Sequence, residues 1–164
     1  MTPDLLPEVL ADHLDRLYRA AWAMCGSRED AEDLVQETFA RVLAKRRTIA
    51  SDEDALPYLL RVLRNTFVSS LRTRSRRPRT APIEDAEARL AAPDAGSPTA
   101  VLAAREVFAA IAALPADQRD VVAAVDVAGL TYAEAAETLG VPTGTVMSRL
   151  HRGRSRVAAA VGAA

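Results

Sequence analysis

The chain has 164 residues, of which 49% are apolar and 4% aromatic, and its formal net charge is −1. This length suits one domain or two small ones, and an alanine-rich chain with few aromatic residues favours helices over sheets. The single cysteine, Cys25, excludes an internal disulfide and a multi-cysteine zinc site, as expected of a cytoplasmic protein, and two histidines argue against a histidine-rich metal site. No uncharged apolar run approaches the ~18 residues of a membrane span, so we expect neither membrane insertion nor a signal peptide.

The charge is unevenly distributed along the chain. Residues 1–60 carry a net charge of −5, residues 61–79 carry +7 without any acid, residues 80–142 carry −7, and residues 143–164 carry +4. Local charge, rather than net charge, governs the binding of a polyanion. Two cationic segments in an otherwise acidic chain are therefore compatible with a nucleic-acid partner.

Three helices are predicted in the first half of the chain. The first ends at Gly26, because glycine often terminates a helix, and the second starts at Ser27, whose side chain can cap it. The third follows a polar stretch at residues 48–54. The apolar positions that recur at helical spacing, and that we expect to face the core, are Leu14, Leu17, Tyr18, Ala21 and Cys25, then Ala31, Leu34, Val35, Thr38, Phe39 and Val42, then Leu56, Leu60, Leu63, Phe67 and Leu71.

Residues 78–98 contain four prolines and a glycine among small and acidic residues. Proline lacks a backbone donor and glycine adds chain entropy, so this composition predicts a flexible linker. The linker divides the chain into an N-terminal helical domain, residues 1–77, and a C-terminal domain, residues 99–164.

The C-terminal domain is predicted to contain a helix-turn-helix. Thr131 and Glu134 have the spacing of a capping box, which starts a short helix that stops at Gly140. Pro142 or Thr143 opens the next helix, so two helices are joined by a tight turn that contains glycine.

The last helix has two different faces. Val146, Leu150, Gly153 and Val157 face the domain, and Ser148, His151, Arg152 and Ser155 stand opposite. Arginines flank this outer row. A helix that lies in a DNA major groove needs such an arrangement, with hydrogen-bonding groups at base edges and cations near phosphates. The alternative is a solvated basic face on a structural helix.

One side of the third helix gathers Arg61, Arg64, Asn65, Arg72 and Arg76. Several cations on one face attract phosphate strongly and without regard to sequence, because each neutralised phosphate releases counterions. Tyr58 and Asn65 add a ring for stacking and an amide for base edges, which suits unpaired bases. The alternatives are a solubility face and, for Tyr58, a position at the edge of the core.

The outer face of the second helix is acidic near its start, where it carries Asp30, Asp33, Gln36 and Glu37. These acids also complement the helix dipole, which accounts for part of the pattern. A magnesium cluster would need facing carboxylates on another helix, and residues 55–83 hold none. An acidic face cannot approach phosphate, so it is predicted to bind a protein.

Four motifs in order resemble bacterial RNA polymerase sigma factors of the compact extracytoplasmic-function group. They are DLVQETF at 33–39, YLLRVLRNTFVSSLR at 58–72, LPADQR at 114–119 and GLTYAEAAETLGVPTGTVMSRLHRGR at 129–154. The resemblance covers nearly the whole chain outside the linker and the termini. It implies a non-catalytic, all-helical, two-domain promoter-specificity subunit without a cofactor or metal.

The resemblance also implies partners for each surface. The acidic residues match the surface that binds the clamp helices of the largest polymerase subunit. The loop at 48–54, Tyr58, Asn65 and the following arginines match the part that recognises and opens the minus-ten box, where family members hold a flipped-out base. Ser148, His151 and Arg152 match the readers of the minus-thirty-five box, in duplex DNA. An anti-sigma partner that covers both domains is a further family expectation, and the linker would run toward the active-site channel.

The predicted site residues form two sets. The polymerase-binding set is Asp30, Asp33, Gln36 and Glu37. The DNA-binding set is Tyr58, Arg61, Arg64, Asn65, Arg72, Arg74, Arg76, Arg77, Thr143, Thr145, Ser148, Arg149, His151, Arg152, Arg154 and Arg156. The chain departs from the family pattern at Tyr58, usually tryptophan, at Ser69, often aspartate, at Met147, often a cation, and at Gly153, usually alanine.

Two other functions stay open on the residues alone. A self-sufficient activator or repressor would explain the helix-turn-helix but would leave the arginine helix and the DLVQE motif without a role. A metal-dependent helical phosphohydrolase would need a second carboxylate cluster.

Overall fold

The computed structural model describes residues 7–45, 54–76 and 97–163, and these residues fold into helices without a β-strand. This confirms the all-helical class. The α-helices are α1 (Pro7–Cys25), α2 (Arg28–Lys45), α3 (Ala55–Arg76), α4 (Pro98–Ala112), α5 (Ala116–Val122), α6 (Tyr132–Leu139) and α7 (Thr143–Gly162), and a π-helical turn, Ala123–Val127, continues α5. Arg77, the loop residues 48–53 and residues 78–96 of the predicted linker lie outside the described residues.

Helix α4 begins inside the segment predicted as linker. The Ser97 side chain accepts a hydrogen bond from the backbone N–H of Ala100 at 3.4 Å, and Pro98 occupies the first helical position. Proline fits there because the first N–H of a helix has no intrahelical partner. The helix therefore starts one residue before the boundary predicted at 99.

The turn between α1 and α2 forms where the sequence predicts it. Gly26 has a φ of 74°, which favours glycine, and a Cβ at this position would meet the Ala112 Cβ at 3.0 Å. Ser27 then accepts a hydrogen bond from the backbone N–H of Asp30 at 3.3 Å. A change of direction and a helix cap are thus encoded in two consecutive residues.

Helix α6 is short and is fixed at both ends. The backbone N–H of Glu134 donates to Thr131 Oγ1 at 3.2 Å, and Glu134 Oε2 accepts from the backbone N–H of Thr131 at 2.7 Å. Gly140 closes the helix in the left-handed region at φ 67°. The capping box and the glycine stop predicted from the sequence are both confirmed.

The π-helical turn after α5 was not predicted. The backbone N–H of Ala128 donates to the Ala123 carbonyl, five residues earlier, at 2.9 Å. Such single turns insert one residue into a helix and often occur at functional sites. Asp126 lies in this turn and binds a residue of α7, as described below.

Helix α1 is the centre of the core. Leu17, Ala20, Ala21 and Ala23 have no exposed surface, and α1 packs against α2, α3, α4 and the π-helical turn. Trp22 stacks on Phe108 of α4, with ring centroids 4.3 Å apart. Apolar residues of both halves of the chain therefore form one continuous cluster around α1.

Most positions predicted to face the core are buried, Cys25 and Phe39 are half-buried, and two leucines are exposed. Leu14 is 39% exposed and Leu71 is 43% exposed. The first turns of α1 are covered less than the rest of that helix, and residues 71–76 are all exposed, so the end of α3 projects beyond the core. Helical periodicity identifies a face but does not show how far along the helix a neighbour covers it.

Gly153 lets α7 approach α5 closely. It is buried, and a Cβ at this position would lie 2.7 Å from Val122 Cγ2 and 3.6 Å from the Gln118 carbonyl oxygen. A valine side chain in a helix has one strongly preferred rotamer, so it cannot easily move away. This close contact explains why glycine stands where the resemblance expects alanine.

We predict that Gly153→Ala lowers the free energy of unfolding, although alanine favours a helix. The gain in helix propensity is about 1 kcal/mol, whereas overpacking of a core costs about 1–3 kcal/mol, so the net loss should reach about 2 kcal/mol. Gly144→Ala on the same helix is the matched control, because nothing lies within 4 Å of its Cβ position. Urea unfolding of both variants measures the difference, and an equal gain in both would contradict the tight α5–α7 contact.

Candidate nucleic-acid interface

The outer face of α7 is exposed, as predicted. Val146, Leu150 and Gly153 are buried on the opposite face and fix the rotation of the helix about its axis. The exposed row comprises Ser148, His151, Arg152 and Ser155. This row is a polar surface of the length of two helical turns, which is what a helix in a major groove presents to base edges.

Hydrogen bonds to the preceding turn of the helix orient three side chains of this row. Ser148 Oγ donates to the Thr145 carbonyl at 3.1 Å, Ser155 Oγ donates to the His151 carbonyl at 3.0 Å, and Arg152 Nε donates to the Ser148 carbonyl at 3.3 Å. A serine hydroxyl that donates backward keeps its lone pairs toward solvent. These serines can therefore accept hydrogen bonds from a ligand without losing the bond to the helix.

Two arginines that flank the row are paired with acids of the same domain. Arg154 forms a bidentate pair with Asp126 of the π-helical turn, at 2.9 and 2.6 Å, and this hydrogen bonding raises the pKa of the guanidinium above its ordinary value. Arg149 Nε lies 3.4 Å from Asp117. Arg156 is exposed. Phosphate would have to compete with carboxylates for two of the cations that were predicted to contact it.

The first turns of α7 differ in exposure. Pro142 is the residue before the helix, Thr143 is exposed, and Thr145 is half-buried. Met147 is 53% exposed, so an apolar side chain stands at the surface where the family often has a cation. An apolar group at this position can contact a thymine methyl but cannot pair with a phosphate.

The arginine face of α3 is only partly open. Arg61, Asn65, Arg72 and Arg76 are exposed, whereas Tyr58 and Arg64 are half-buried. Two of these cations contact the C-terminal half: Arg64 Nε donates to Asp120 Oδ2 at 2.7 Å, and Arg61 Nη2 donates to the Glu137 carbonyl at 3.2 Å. Part of the predicted arginine face is therefore exposed, and part of it is covered by the C-terminal half.

Helix α2 carries the acidic surface. Asp33, Gln36 and Glu37 are exposed, and Glu37 also pairs with Arg41 at 2.6 Å. Asp30 is half-buried and accepts a hydrogen bond from Arg74 of α3 at 3.0 Å. The Asp30–Arg74 pair therefore links the two predicted sets of site residues, because Asp30 was predicted to bind polymerase and Arg74 to bind DNA.

The acid partners of these arginines were missed by the sequence reasoning. Asp120, Asp30 and Asp126 are far from their partners in sequence, and no local motif marks them. The charge pattern gave a signal for the Arg64–Asp120 pair alone, because the segment at 61–79 carries +7 and the segment at 80–142 carries −7. Opposite charges of equal size suggest that the two segments attract each other, but not which residues meet.

A small cavity lies between α2, α3 and the start of the C-terminal half. Its volume is about 280 Å³, and its lining includes Cys25, Asp30, Phe67, Arg74 and Arg119. Burial raises the pKa of the Cys25 thiol to about 12, and the nearby Asp30 carboxylate adds to this shift. The thiol is thus kept protonated, and so unreactive, at neutral pH.

The part of the chain that the structure describes shows neither a metal cluster nor a membrane span. No group of three or more histidine, cysteine or acidic side chains in these residues could hold a metal ion. None of the helices in the same residues is long and apolar enough to cross a membrane.

We predict that the stability of the chain falls at alkaline pH because of Cys25. The pKa of its thiol is about 12 in the folded chain and 9.0 in a free thiol, so the unfolded chain loses this proton first as the pH rises. The free energy of unfolding should then fall by about 1 kcal/mol per pH unit above pH ~9, relative to Cys25→Ala. Urea unfolding of the wild type and of Cys25→Ala between pH 8 and 10.5 measures the difference, because the two proteins share all their other titratable groups. Parallel stability curves would show that the thiol is not withdrawn from water.

Comparison with known proteins identifies two regions of this chain. The model of Sigma-70 region 2 matches residues 9–77, and the model of Sigma-70, region 4, matches residues 104–157. The first match contains α2 and α3, and the second contains α5, α6 and most of α7. The acidic surface and both basic helices therefore lie within the matched regions.

Sequence relatives and solved structures agree with this result. The chain is 37% identical over 155 residues to the ECF RNA polymerase sigma factor SigE of Mycolicibacterium smegmatis, covering 92% of this chain and 59% of SigE. It is 35% identical over 161 residues to the ECF RNA polymerase sigma factor EcfG of Rhodopseudomonas palustris, covering 97% of this chain and 86% of EcfG. The sigma factor RpoE of Bartonella quintana, solved with the anti-sigma factor NepR, has a TM-score of 0.66 at 26% identity, covering 94% and 92% of the two chains. CnrH, solved with the cytosolic domain of CnrY, shares the fold at a TM-score of 0.68 and 22% identity, covering 95% of this chain and 86% of CnrH.

Proposed function

Because the chain belongs to the extracytoplasmic-function group of the sigma-70 family, we propose that it binds core RNA polymerase and directs promoter recognition, DNA opening and transcription initiation. The observation that carries this proposal is the exposed basic face of α7, which follows a capped α6 and a tight turn in the region that matches Sigma-70 region 4. We keep the division into domains at 1–77 and 99–164 as part of the proposal.

Helix α7 would read the upstream promoter box in duplex DNA. Ser148, His151 and Arg152 would reach base edges, while Thr143 and Thr145 at the helix start and Arg149, Arg154 and Arg156 at its sides would contact phosphates. Phosphate contacts position a protein, and base contacts specify the sequence. Because Met147 cannot pair with phosphate, we expect the base step beside it to be read by apolar contact.

Helix α3 would capture the strand that becomes single at the minus-ten box. Tyr58 would stack on an unpaired base, Asn65 would bond its edge, and the arginines of the helix would hold the backbone. Unstacking a duplex costs about 1.4 kcal/mol per base-pair step, so capture of the melted strand helps to offset this cost.

The acidic face of α2 would bind the polymerase. Asp33, Gln36 and Glu37 are exposed and lie on the helix that carries the DLVQETF motif. The charges of Asp33 and Glu37 repel phosphate and suit a cationic protein surface. We assign the polymerase clamp helices as the partner, and Asp30 as a contact that must first leave Arg74.

The chain would act by binding alone, with the chemistry left to the polymerase, and it would work in the cytoplasm, where transcription takes place. Two solved structures similar to this chain are complexes, one of RpoE with the anti-sigma factor NepR and one of CnrH with the cytosolic domain of CnrY. We include an anti-sigma partner of this chain in the proposal.

Run-off transcription with purified core RNA polymerase and a random promoter library tests this function. A sigma factor should enrich promoters that share two boxes, and only when both proteins are present. A symmetric footprint on duplex DNA without polymerase would instead indicate a self-sufficient activator or repressor. Asp33→Asn should weaken the association with core polymerase, and no change in that association would remove α2 from the interface.

We predict that Arg152→Ala blurs the preference for one base of the upstream box. A bidentate contact to a base is worth about 1–3 kcal/mol of discrimination, and that part should be lost. Arg105→Ala is the control, because it removes one exposed charge from α4, outside the proposed interface. Competition binding against single-base variants of the box measures the effect. Equal losses on all sequences would mean that Arg152 contacts the backbone only.

We predict that Arg72→Ala weakens single-strand capture in a salt-dependent way. Removal of one phosphate contact should reduce the slope of log K against log salt by about 0.7 to 1. The exposed Arg16 of α1 provides the control, Arg16→Ala, which should leave the slope unchanged. Titrations with a fluorescent single strand at several salt concentrations give both slopes, and equal slopes for the two variants would remove Arg72 from the contacts.

A further inference from the structure

Helix α7 has a carboxylate beside each of its two flanks. At about 100° per residue, Arg149 and Arg154 lie on opposite sides of the helix, with the exposed row between them. Asp117 of α5 lies 3.4 Å from Arg149, and Asp126 of the π-helical turn accepts hydrogen bonds from Arg154 at 2.9 and 2.6 Å. We call Arg149 and Arg154 the rim arginines, and Asp117 and Asp126 the rim acids. The sequence reasoning included neither acid in the predicted site.

The rims are the places where a helix in a major groove meets the two phosphate backbones. The groove is about 12 Å wide, so a helix that fills it has the phosphates of one strand on each side. A phosphate that approaches a rim arginine also approaches a rim acid, and the two negative charges repel each other. The acids therefore stand where contacts to the DNA backbone would form.

The π-helical turn carries the acid that binds its arginine in a bidentate way. The backbone N–H of Ala128 closes this turn on the Ala123 carbonyl at 2.9 Å. The extra residue in such a turn changes the direction of the side chains around it, and these turns often occur at functional sites. Asp126 accepts from both Nε and Nη2 of Arg154, which holds the guanidinium in one orientation. The irregular turn thus carries a fixed acid at one rim of α7.

The two other arginines of α7 have no acid partner among the described residues. Arg152 donates to the Ser148 carbonyl of its own helix at 3.3 Å, and Arg156 is exposed. Residues 143–164 carry a charge of +4, and the two rim acids neutralise half of it. The cations left for DNA are therefore Arg152, in the exposed row, and Arg156, beside that row.

A neutralised arginine adds little to binding of the DNA backbone. Each phosphate that a cation neutralises releases counterions and contributes about 0.9 to the slope of log K against log salt. A rim arginine and its acid are neutral together, so they release almost no counterions when DNA arrives. One such missing contact lowers the affinity for duplex DNA about eightfold at about 0.1 M salt. The base contacts of the exposed row are not affected by this factor.

We propose that Asp117 and Asp126 are specificity-determining residues of α7, which neutralise its rim arginines so that duplex DNA is held by base contacts rather than by its backbone. The acids lower the affinity for every duplex by the same factor. A duplex without the matching box then binds too weakly to retain the chain, whereas the matching box still binds. This inference rests on the proposed function, because it assumes that α7 lies in a major groove.

Asp126→Asn is the test variant, and Glu106→Gln is its matched control. Each substitution removes one negative charge from the C-terminal half, but Glu106 is exposed on α4 and forms no ion pair with the described residues of α7. Fluorescence anisotropy of the full chain is measured at several salt concentrations with two duplexes, one with the box selected by run-off transcription and one with that box scrambled.

We expect Asp126→Asn to steepen the salt slope by about 0.9 on both duplexes, because Arg154 becomes available to a phosphate. Both affinities should rise about eightfold at about 0.1 M salt, and their ratio should stay unchanged. Glu106→Gln should keep the wild-type slope. A gain on the selected box alone would overturn the proposal, because Arg154 would then take part in reading that box.

Asp117→Asn covers the case in which Asp126→Asn fails to fold, as circular dichroism would show. The Asp117 side chain is 47% exposed and lies 3.4 Å from Arg149, so its substitution should leave the fold intact and steepen the slope by a smaller amount. Slopes equal to that of Glu106→Gln in every folded variant would overturn the proposal.

Elution from a heparin column separates this inference from the proposed function. Heparin is a sulfated polyanion without base edges, so its retention of the chain depends on the available cations alone. Asp126→Asn should elute at higher salt than Glu106→Gln, and equal elution would overturn the neutralisation of Arg154. If the elution differs but no form of the chain binds either duplex, the neutralisation stands and the proposed reading of DNA by α7 fails.

Discussion

Helix α1 is the part of the molecule on which the positions of both basic helices depend. Leu17, Ala20, Ala21 and Ala23 have no exposed surface. Three of these four residues are alanines, whose small side chains let neighbouring helices approach closely. The stretch at 20–24 is apolar on all sides and buried on all sides. The N-terminal half supplies α2 and α3 as neighbours, and the C-terminal half supplies α4 and the π-helical turn. The orientation of α3 and the support of α7 both follow from this single central helix.

The sequence predicts well those features whose cause lies within a few residues. The capping box of Thr131 and Glu134, the stop at Gly140 and the turn at Gly26 depend on local hydrogen bonds or on one backbone angle, and all are confirmed. The exposed row on α7 follows from helical periodicity. The π-helical turn and the partners of Arg64 and Arg74 depend on which helices pack against each other. Local sequence patterns do not predict that packing. Leu71 shows the same limit, because the pattern assigns it to the inner face but not to the projecting end of α3.

Charge in this molecule is arranged in opposed pairs rather than in isolated patches. The cations of α3 and α7 that would bind nucleic acid are partly matched by carboxylates at Asp30, Asp120 and Asp126. A polyanion that binds here must displace these acids, so the free energy of binding is the difference between two sets of contacts. Such competition lowers the affinity for every polyanion by the same factor, so only a ligand that makes additional base contacts still binds tightly. An acidic chain with two basic helices can thus discriminate among polyanions without a large positive surface.

The half-buried thiol of Cys25 is poorly suited to react with oxidants. Peroxide reacts with a thiolate and hardly at all with a thiol, so a cysteine that stays protonated is a poor substrate for oxidation. Since Cys25 is the only cysteine of the chain, the protein has no second sulfhydryl with which to form an internal bond. Direct oxidation of this chain at Cys25 is therefore disfavoured at neutral pH.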